Sequence, residues 1–160
     1  MIKLMRVDDR LIHGQCMTVL VKVHQIKQII VVDNYTATNK LLRSIFQSAV
    51  PKGMKATPVT VEDAIPLVQE AAGNDVNTLV LARVPSVMLE LFKNTDAPKE
   101  LNIASVQATG ADKYITKDQH VTQAEIDAVK ELGNMGVHVY FNLVPGQTAV
   151  TEWDSIKDKF

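Results

Sequence analysis

A chain of 160 residues, 46% apolar and 22% charged, can bury one core and has the composition of a folded globular protein. A formal net charge of -1 without a basic run excludes the strongly basic kind of nucleic-acid binder, and no apolar run approaches the ~18 residues that span a bilayer. The lone Cys16 can form no internal disulfide or metal framework and points to a reducing cytoplasm.

Met1 to Arg6 is too short for a signal peptide and lacks a cleavage site; the apolar run Ile2 to Val7 predicts a strand ending near Asp8. A helix begins near Gly14, with Met17, Leu20, Val21 and His24 on one face. Gln28 to Val32 is β-branched without alternation, the pattern of a strand covered on both faces. Thr36 or Thr38 caps the next helix, whose core positions are Leu41, Leu42, Ile45, Phe46 and Ala49; Pro51 to Gly53 stops it. A strand from Met54 to Val59 follows, then a helix from about Glu62 to Ala72, in which Pro66 is acceptable only if the helix starts near Asp63. Thr78 to Ala82 is a further buried strand, and Pro85 suits the first turn of a helix running to about Lys93. Leu101 to Val106 predicts a fifth strand, and Gln107 to His120 shows no periodicity. Thr122 and Glu125 have the spacing of a capping box before a helix carrying Ile126, Val129 and Leu132 inward and ending around Gly133 to Gly136. Val137 to Phe141 is a last strand, and the tail from Gln147 to Phe160, with Trp153 and Ile156, forms a docked helix. Strand alternating with helix predicts an α/β fold: residues 1–160 as one domain with an open, mostly parallel β-sheet and helices on both faces.

The loop after the first strand concentrates the chemistry: Asp8, Asp9, Arg10 and His13 lie between a strand end and a helix start. Ligands collect at the carboxyl ends of strands in such sheets, and helix N-termini attract anions. Imidazole forms covalent intermediates, Arg10 offers a planar fork to phosphate oxygens, and Gly14 leaves room for a phosphoryl group. Asp8 or Asp9 can accept from one ring nitrogen and present the other. The plain alternative is a solvated strand end in which Arg10 pairs with an aspartate.

The run Arg6 to Gln15 (Arg-Val-Asp-Asp-Arg-Leu-Ile-His-Gly-Gln) resembles the signature of the IIB component of the bacterial sugar phosphotransferase system, mannose–fructose–sorbose type. Length and strand–helix order resemble that family over the whole chain; the specific motif is confined to this loop. The resemblance implies a protein-phosphohistidine–sugar phosphotransferase. His13 would accept a phosphoryl group on Nδ1 from phosphorylated IIA and pass it to a sugar imported through membrane components IIC and IID. Arg10 would bind the phosphate with Gly14 and Gln15, and Asp8 would assist the histidine, without cofactor or metal. It further implies a cytoplasmic protein associated peripherally with its transporter. The sugar stays open between mannose, sorbose, fructose, N-acetylgalactosamine or another, as does a homo-oligomer. Two positions depart from the pattern: Val19-Leu20 stand where an Arg-Trp pair is common, and Val106 to Asp112 stand where a Gly-Gly-Met-like turn is common.

Other candidates carry mostly structural readings. His24 reads as a core or boundary histidine, His138 as structural, and His120 as a solvent-facing loop residue that could border the site. Cys16 reads as a small buried hydrophobe. Thr109, Gly110 and Lys113 either line the crevice or form an ordinary turn, and Leu11, Ile12 and Met17 either rim a docking face or pack the loop down. A receiver-type domain needs an aspartate after a later strand, which Leu79 to Pro85 lacks. A nucleotide-binding module would use Asp33 as a ribose acid, yet the first loop lacks Gly-x-Gly-x-x-Gly.

Overall fold

A computed structural model describes residues 1–160 except the side chains of Gln15 and Cys16. The main-sheet strands in chain order are β1 (Ile2–Val7), β2 (Gln28–Val32), β3 (Lys55–Val59), β4 (Thr78–Ala82) and β5 (Glu100–Ile103). Next come β6 (Val106–Gln107), β7 (Lys113–Tyr114) and β8 (Gln119–Val121), then β9 (His138–Phe141) and β10 (Thr151–Glu152). The helices are α1 (Gly14–Val23), α2 (Asn34–Thr38), α3 (Lys40–Ser48), α4 (Val61–Gly73), α5 (Pro85–Asn94), α6 (Gln123–Asn134) and α7 (Trp153–Ile156).

The main sheet runs β10-β9-β5-β1-β4-β2-β3, parallel except where β10 pairs with β9, so the expected α/β architecture is present. Every residue of β4 is buried, as a continuous apolar strand requires when helices cover both faces. One face packs against α4, α5 and α6 through Val68, Met88, Leu91, Val129 and Leu132. The other packs against α1 and α3 through Met17, Leu20 and Phe46, over Leu4, Ile29, Val31 and Leu81. Because β1 is central and its neighbours β4 and β5 are joined through α5 on the face opposite α1, the loop after β1 emerges where ligands gather in such sheets.

Several expectations need correction. The helix assigned to a Thr36 or Thr38 cap is two helices: Asp33 caps α2 by accepting from Thr36 N–H, and Asn39 caps α3 by accepting from Leu42 N–H. The stripe Leu41, Leu42, Ile45, Phe46, Ala49 is not core. Only Phe46 packs against the sheet-side core, with Leu42 half-buried, while Leu41 (71% exposed), Ile45 (50%) and Ala49 face solvent. α4 starts at Val61, two residues before the Asp63 start that Pro66 suggests; Pro66 and Glu62 are both exposed, so the carbonyl that proline cannot serve has water within reach. The capping box does not form either. Thr122 makes no side-chain cap, and Glu125 instead accepts from Ser86 N–H (2.8 Å) and Ser86 Oγ (2.7 Å), capping the neighbouring α5, whose first turn begins with Pro85.

The stretch 107–120 is structured: β6, β8 and β7 form a small sheet in which His120 stacks on Tyr114 at 4.3 Å. The predicted strand 101–106 is thereby divided between the two sheets. The tail contributes an edge strand before its short helix, and buried Trp153 packs against Phe141 and over Gly133, where a Cβ would stand 3.0 Å from the indole nitrogen.

Candidate functional site

The loop after β1 is held by both neighbouring strands. Asp8 N–H donates to the Ala82 carbonyl, and Asp9 N–H to that of Ser105, each at 2.9 Å. The Asp8 carbonyl then accepts from Leu11 N–H at 2.9 Å, closing a tight turn. Leu11 sits at φ 54, in the left-handed region that a branched side chain rarely adopts, and its buried side chain anchors the turn. His13 follows as the N-cap residue of α1, with its carbonyl accepting from Met17 N–H.

Asp8 organises the cluster. Its carboxylate accepts from Arg10 Nε (3.0 Å), Arg10 Nη2 (3.0 Å), Arg10 N–H (3.2 Å) and Arg6 Nη2 (3.1 Å), and it faces His13 Nε2 at 3.0 Å. Burial by itself would raise the Asp8 carboxyl, but Arg10, Arg6 and His13 outweigh it and hold it below the ordinary carboxylate range. An ionised carboxylate only accepts, so Nε2 carries the ring proton and donates it. That leaves the lone pair of a neutral ring on Nδ1, for which the described residues supply no hydrogen-bond partner. Of the two aspartates left open by sequence, Asp8 faces the ring. The His13 side chain is 22% exposed and lines a surface groove with Ile12, Gly14 and Met17.

Arg10 is half exposed and engages Asp8 with a two-pronged contact, so the ion-pair alternative is realised here. Gln15 and Cys16 lie in the first turn of α1, and their side chains are outside what the structure describes. Arg6 was not singled out by sequence. It is 1% exposed, donating to Asn102 Oδ1, to Asp8 and to the Leu143 carbonyl (2.7 Å), and so ties the loop to β5 and to the segment after β9. An arginine inside an apolar strand, two residues from an aspartate on the same side, was the available signal. Arg83 was also missed: it donates to the Asp9 carbonyl and pairs with Asp33 at 3.3 Å, while Asp9 Oδ1 is buried without a hydrogen-bond partner among the described residues.

Leu11, Ile12 and Met17 are buried and pack the loop down, and Ile12 and Met17 also line the groove that His13 borders. Thr109, Gly110 and Lys113 belong to the small sheet and its exposed turn; none is hydrogen-bonded to the Asp8–His13 group. His24 is half-buried at the end of α1, where burial pushes its ring down. His138 is exposed and pairs with Glu152 (2.7 Å) and Glu100 (3.7 Å). Asp33 caps α2 and holds Arg83, which removes it as a free ribose acid. Among the described residues no group of three or more His, Cys, Asp or Glu could hold a metal ion, and no helix is long and apolar enough to cross a membrane.

Comparison with known proteins agrees over nearly the full length. The family model for the PTS (phosphotransferase system) sorbose-subfamily IIB component matches residues 2–159. The sorbose-specific EIIB component of Klebsiella pneumoniae is 29% identical over 157 residues, spanning 98% of this chain and 96% of that protein. The fructose-specific EIIB component of Bacillus subtilis is 29% identical over 148 residues, 92% and 91% of the two chains. The crystal structure of the IIBSor domain of the Klebsiella pneumoniae sorbose permease superposes with a TM-score of 0.89 at 27% identity, covering 99% of this chain and 96% of that one.

Proposed function

We propose, from the premise that this chain belongs to the sorbose subfamily of phosphotransferase-system IIB components and so takes part in sugar phosphotransfer, that His13 is its phosphoryl carrier. The supporting observation is the Asp8–His13 contact at 3.0 Å, which engages Nε2 and leaves Nδ1 without a hydrogen-bond partner among the described residues. In this reading the Nδ1 lone pair attacks the phosphorus carried by a histidine of the IIA component. The donor's P–N bond breaks as the new one forms, and its electron pair returns to the donor ring. His13 becomes cationic while Nε2–H stays on Asp8, whose negative charge offsets the new positive one. In the second step a sugar hydroxyl at IIC and IID attacks the same phosphorus, the P–N bond returns its pair to Nδ1, and the hydroxyl proton leaves to water or a base of the acceptor.

Phosphoryl transfer is chiefly a matter of positioning and charge. Arg10, half exposed beside the ring, is the side chain we assign to the phosphate oxygens, with the amides from Gly14 and Gln15 at the start of α1. Residues 1–160 then act as one IIB domain, in the cytoplasm and docked to the transporter, with the sugar chosen elsewhere. The test is a chase: the protein is labelled with phosphorylated IIA, then mixed with membranes carrying IIC and IID plus sugar. Label should appear on wild type, move to sugar, and be absent from His13→Ala; a His13→Ala protein that still relays label overturns the proposal.

A further inference from the structure

The β-turn that opens the reactive loop has a central peptide held from both sides. Its corners are Asp8 and Leu11, joined by the bond from Leu11 N–H to the Asp8 carbonyl. The Asp9–Arg10 peptide between them is the unit whose rotation interconverts the common turn types. That peptide is trans, so its carbonyl and its N–H point to opposite sides. On one side the Arg10 N–H donates to Asp8 Oδ1 at 3.2 Å; on the other Arg83 Nη1 donates to the Asp9 carbonyl. Among the described non-glycine residues only Leu11 and Gln25 have positive φ, so Arg10 keeps an ordinary backbone. A flip would force Arg10 into the left-handed region that a type II turn demands of its third residue. It would also turn the Arg10 N–H away from Asp8.

Arg83 directly follows β4, the strand beside β1, and its guanidinium is fixed from behind. Its Nε pairs with Asp33 Oδ2 at 3.3 Å, and that oxygen also accepts from Thr36 N–H at 3.0 Å and Thr36 Oγ1 at 2.6 Å. A guanidinium beside an aspartate ordinarily takes its carboxylate. Among the described residues, however, no ion pair joins Arg83 to the Asp9 side chain, whose Oδ1 is buried without a hydrogen-bond partner. The main-chain carbonyl is the target instead. We propose that Arg83 is a positioning residue for phosphoryl transfer. By holding the Asp9 carbonyl it keeps the central peptide from flipping, and so keeps Arg10 and Asp8 in place about His13. The proposal rests on His13 as the carrier. The Asp9–Arg10 peptide sets the direction in which the Arg10 side chain leaves the backbone, and its N–H is one of the donors that fix the Asp8 carboxylate against Nε2. Arg83 therefore acts without touching phosphorus: it orders in advance the groups that would otherwise have to be ordered during transfer.

Two measurements on the full-length protein test this: amide hydrogen exchange by NMR, and rapid-quench labelling across a range of phosphorylated IIA concentrations. Losing one hydrogen bond from a charged donor should speed Arg10 amide exchange about tenfold in Arg83→Ala, while Val80 and Leu81 in β4 stay within about twofold of wild type. The maximal labelling rate should fall by about the same tenfold, with the half-saturating IIA concentration unchanged. Arg83→Lys keeps the charge and a donor, so both quantities should lie between those of wild type and Arg83→Ala; this variant also serves if the alanine protein does not fold. A lowered rate with the Arg10 amide still protected would mean that Arg83 acts by charge alone. A raised half-saturating concentration at an unchanged maximal rate would make it a docking contact. Either result, or a loosened Arg10 amide with a wild-type rate, overturns the proposal. A His13→Ala protein that still relays label sinks the carrier reading instead, and leaves the exchange comparison on unlabelled protein to judge the hold on the peptide by itself.

Discussion

Replacing Asp8 by asparagine isolates the charge on which the loop depends. Arg6 is fully buried against Asp8, and removing one partner of a buried pair costs about 3–5 kcal/mol. Arg6 keeps Asn102 and the Leu143 carbonyl, while Arg10 and His13 are partly hydrated, so the lower end applies, about 3 kcal/mol. For a chain of this size that lowers Tm by roughly 6–12 °C. The depressed carboxyl gives this contribution a sign: it is present above the ordinary aspartate value and is lost as pH falls through the folded one. Asp8→Asn should therefore flatten the acid limb of the stability curve. Transfer should suffer separately. The charge-assisted bond to Nε2 is worth about 1.5–3 kcal/mol as the ring becomes cationic, or roughly ten- to 150-fold in rate. The amide can also donate to Nε2 and push the proton onto Nδ1, which lowers the rate further. Rapid-quench phosphorylation by phospho-IIA, with urea unfolding on the same samples, measures both. An Asp8→Asn protein labelled at the wild-type rate, or a wild-type phosphoryl group on Nε2, would refute the reasoning.

His13→Ala should unfold within about 1 kcal/mol of wild type, since the side chain is partly exposed, and should take no label. Arg10→Ala should retain labelling at a rate lower by about tenfold or more, read in the same quench experiment. Glu125→Ala removes the cap of α5 and should cost about 1–2 kcal/mol in urea unfolding, with a second Ser86→Ala change adding less than its separate effect. His138, raised by its bond to Glu152 with burial opposing and Glu100 assisting, stabilises the β9–β10 edge when protonated. That contribution, on the order of 0.5 kcal/mol because all three side chains are half exposed, is complete below about pH 6.5 and fades as pH rises. His138→Gln should abolish this pH dependence in amide exchange of Thr151 and Glu152.

The parallel sheet was legible because its strands report burial directly: Gln28 to Val32 and Thr78 to Ala82 are apolar without alternation, and each lies inside the sheet. The reactive loop was legible because a strand end, an aspartate and a histidine before a helix form a short-range pattern. What escaped depends on partners distant in sequence. Glu125 has capping-box spacing, but Ser86 offers a second set of free donors across the α5–α6 contact, and the carboxylate goes there. The α3 stripe meets the criterion for a buried face, yet periodicity says only which residues share a face, and how much of it the edge strands cover is decided by the sheet. Arg6 and Arg83 follow the same logic, since their acceptors at Asn102, Leu143 and Asp9 are supplied by other strands and loops. The small sheet of β6, β7 and β8 is built from strands of two and three residues, too short to show any period.

The most direct measurement of the carrier claim starts from phosphoenolpyruvate, the general relay proteins and IIA, and ends with fragment mass spectrometry of this chain under alkaline conditions. The account predicts one phosphoryl group on His13, stable to base and lost in acid. An unmodified His13 in the presence of charged IIA, or the phosphoryl group on another residue, would contradict it.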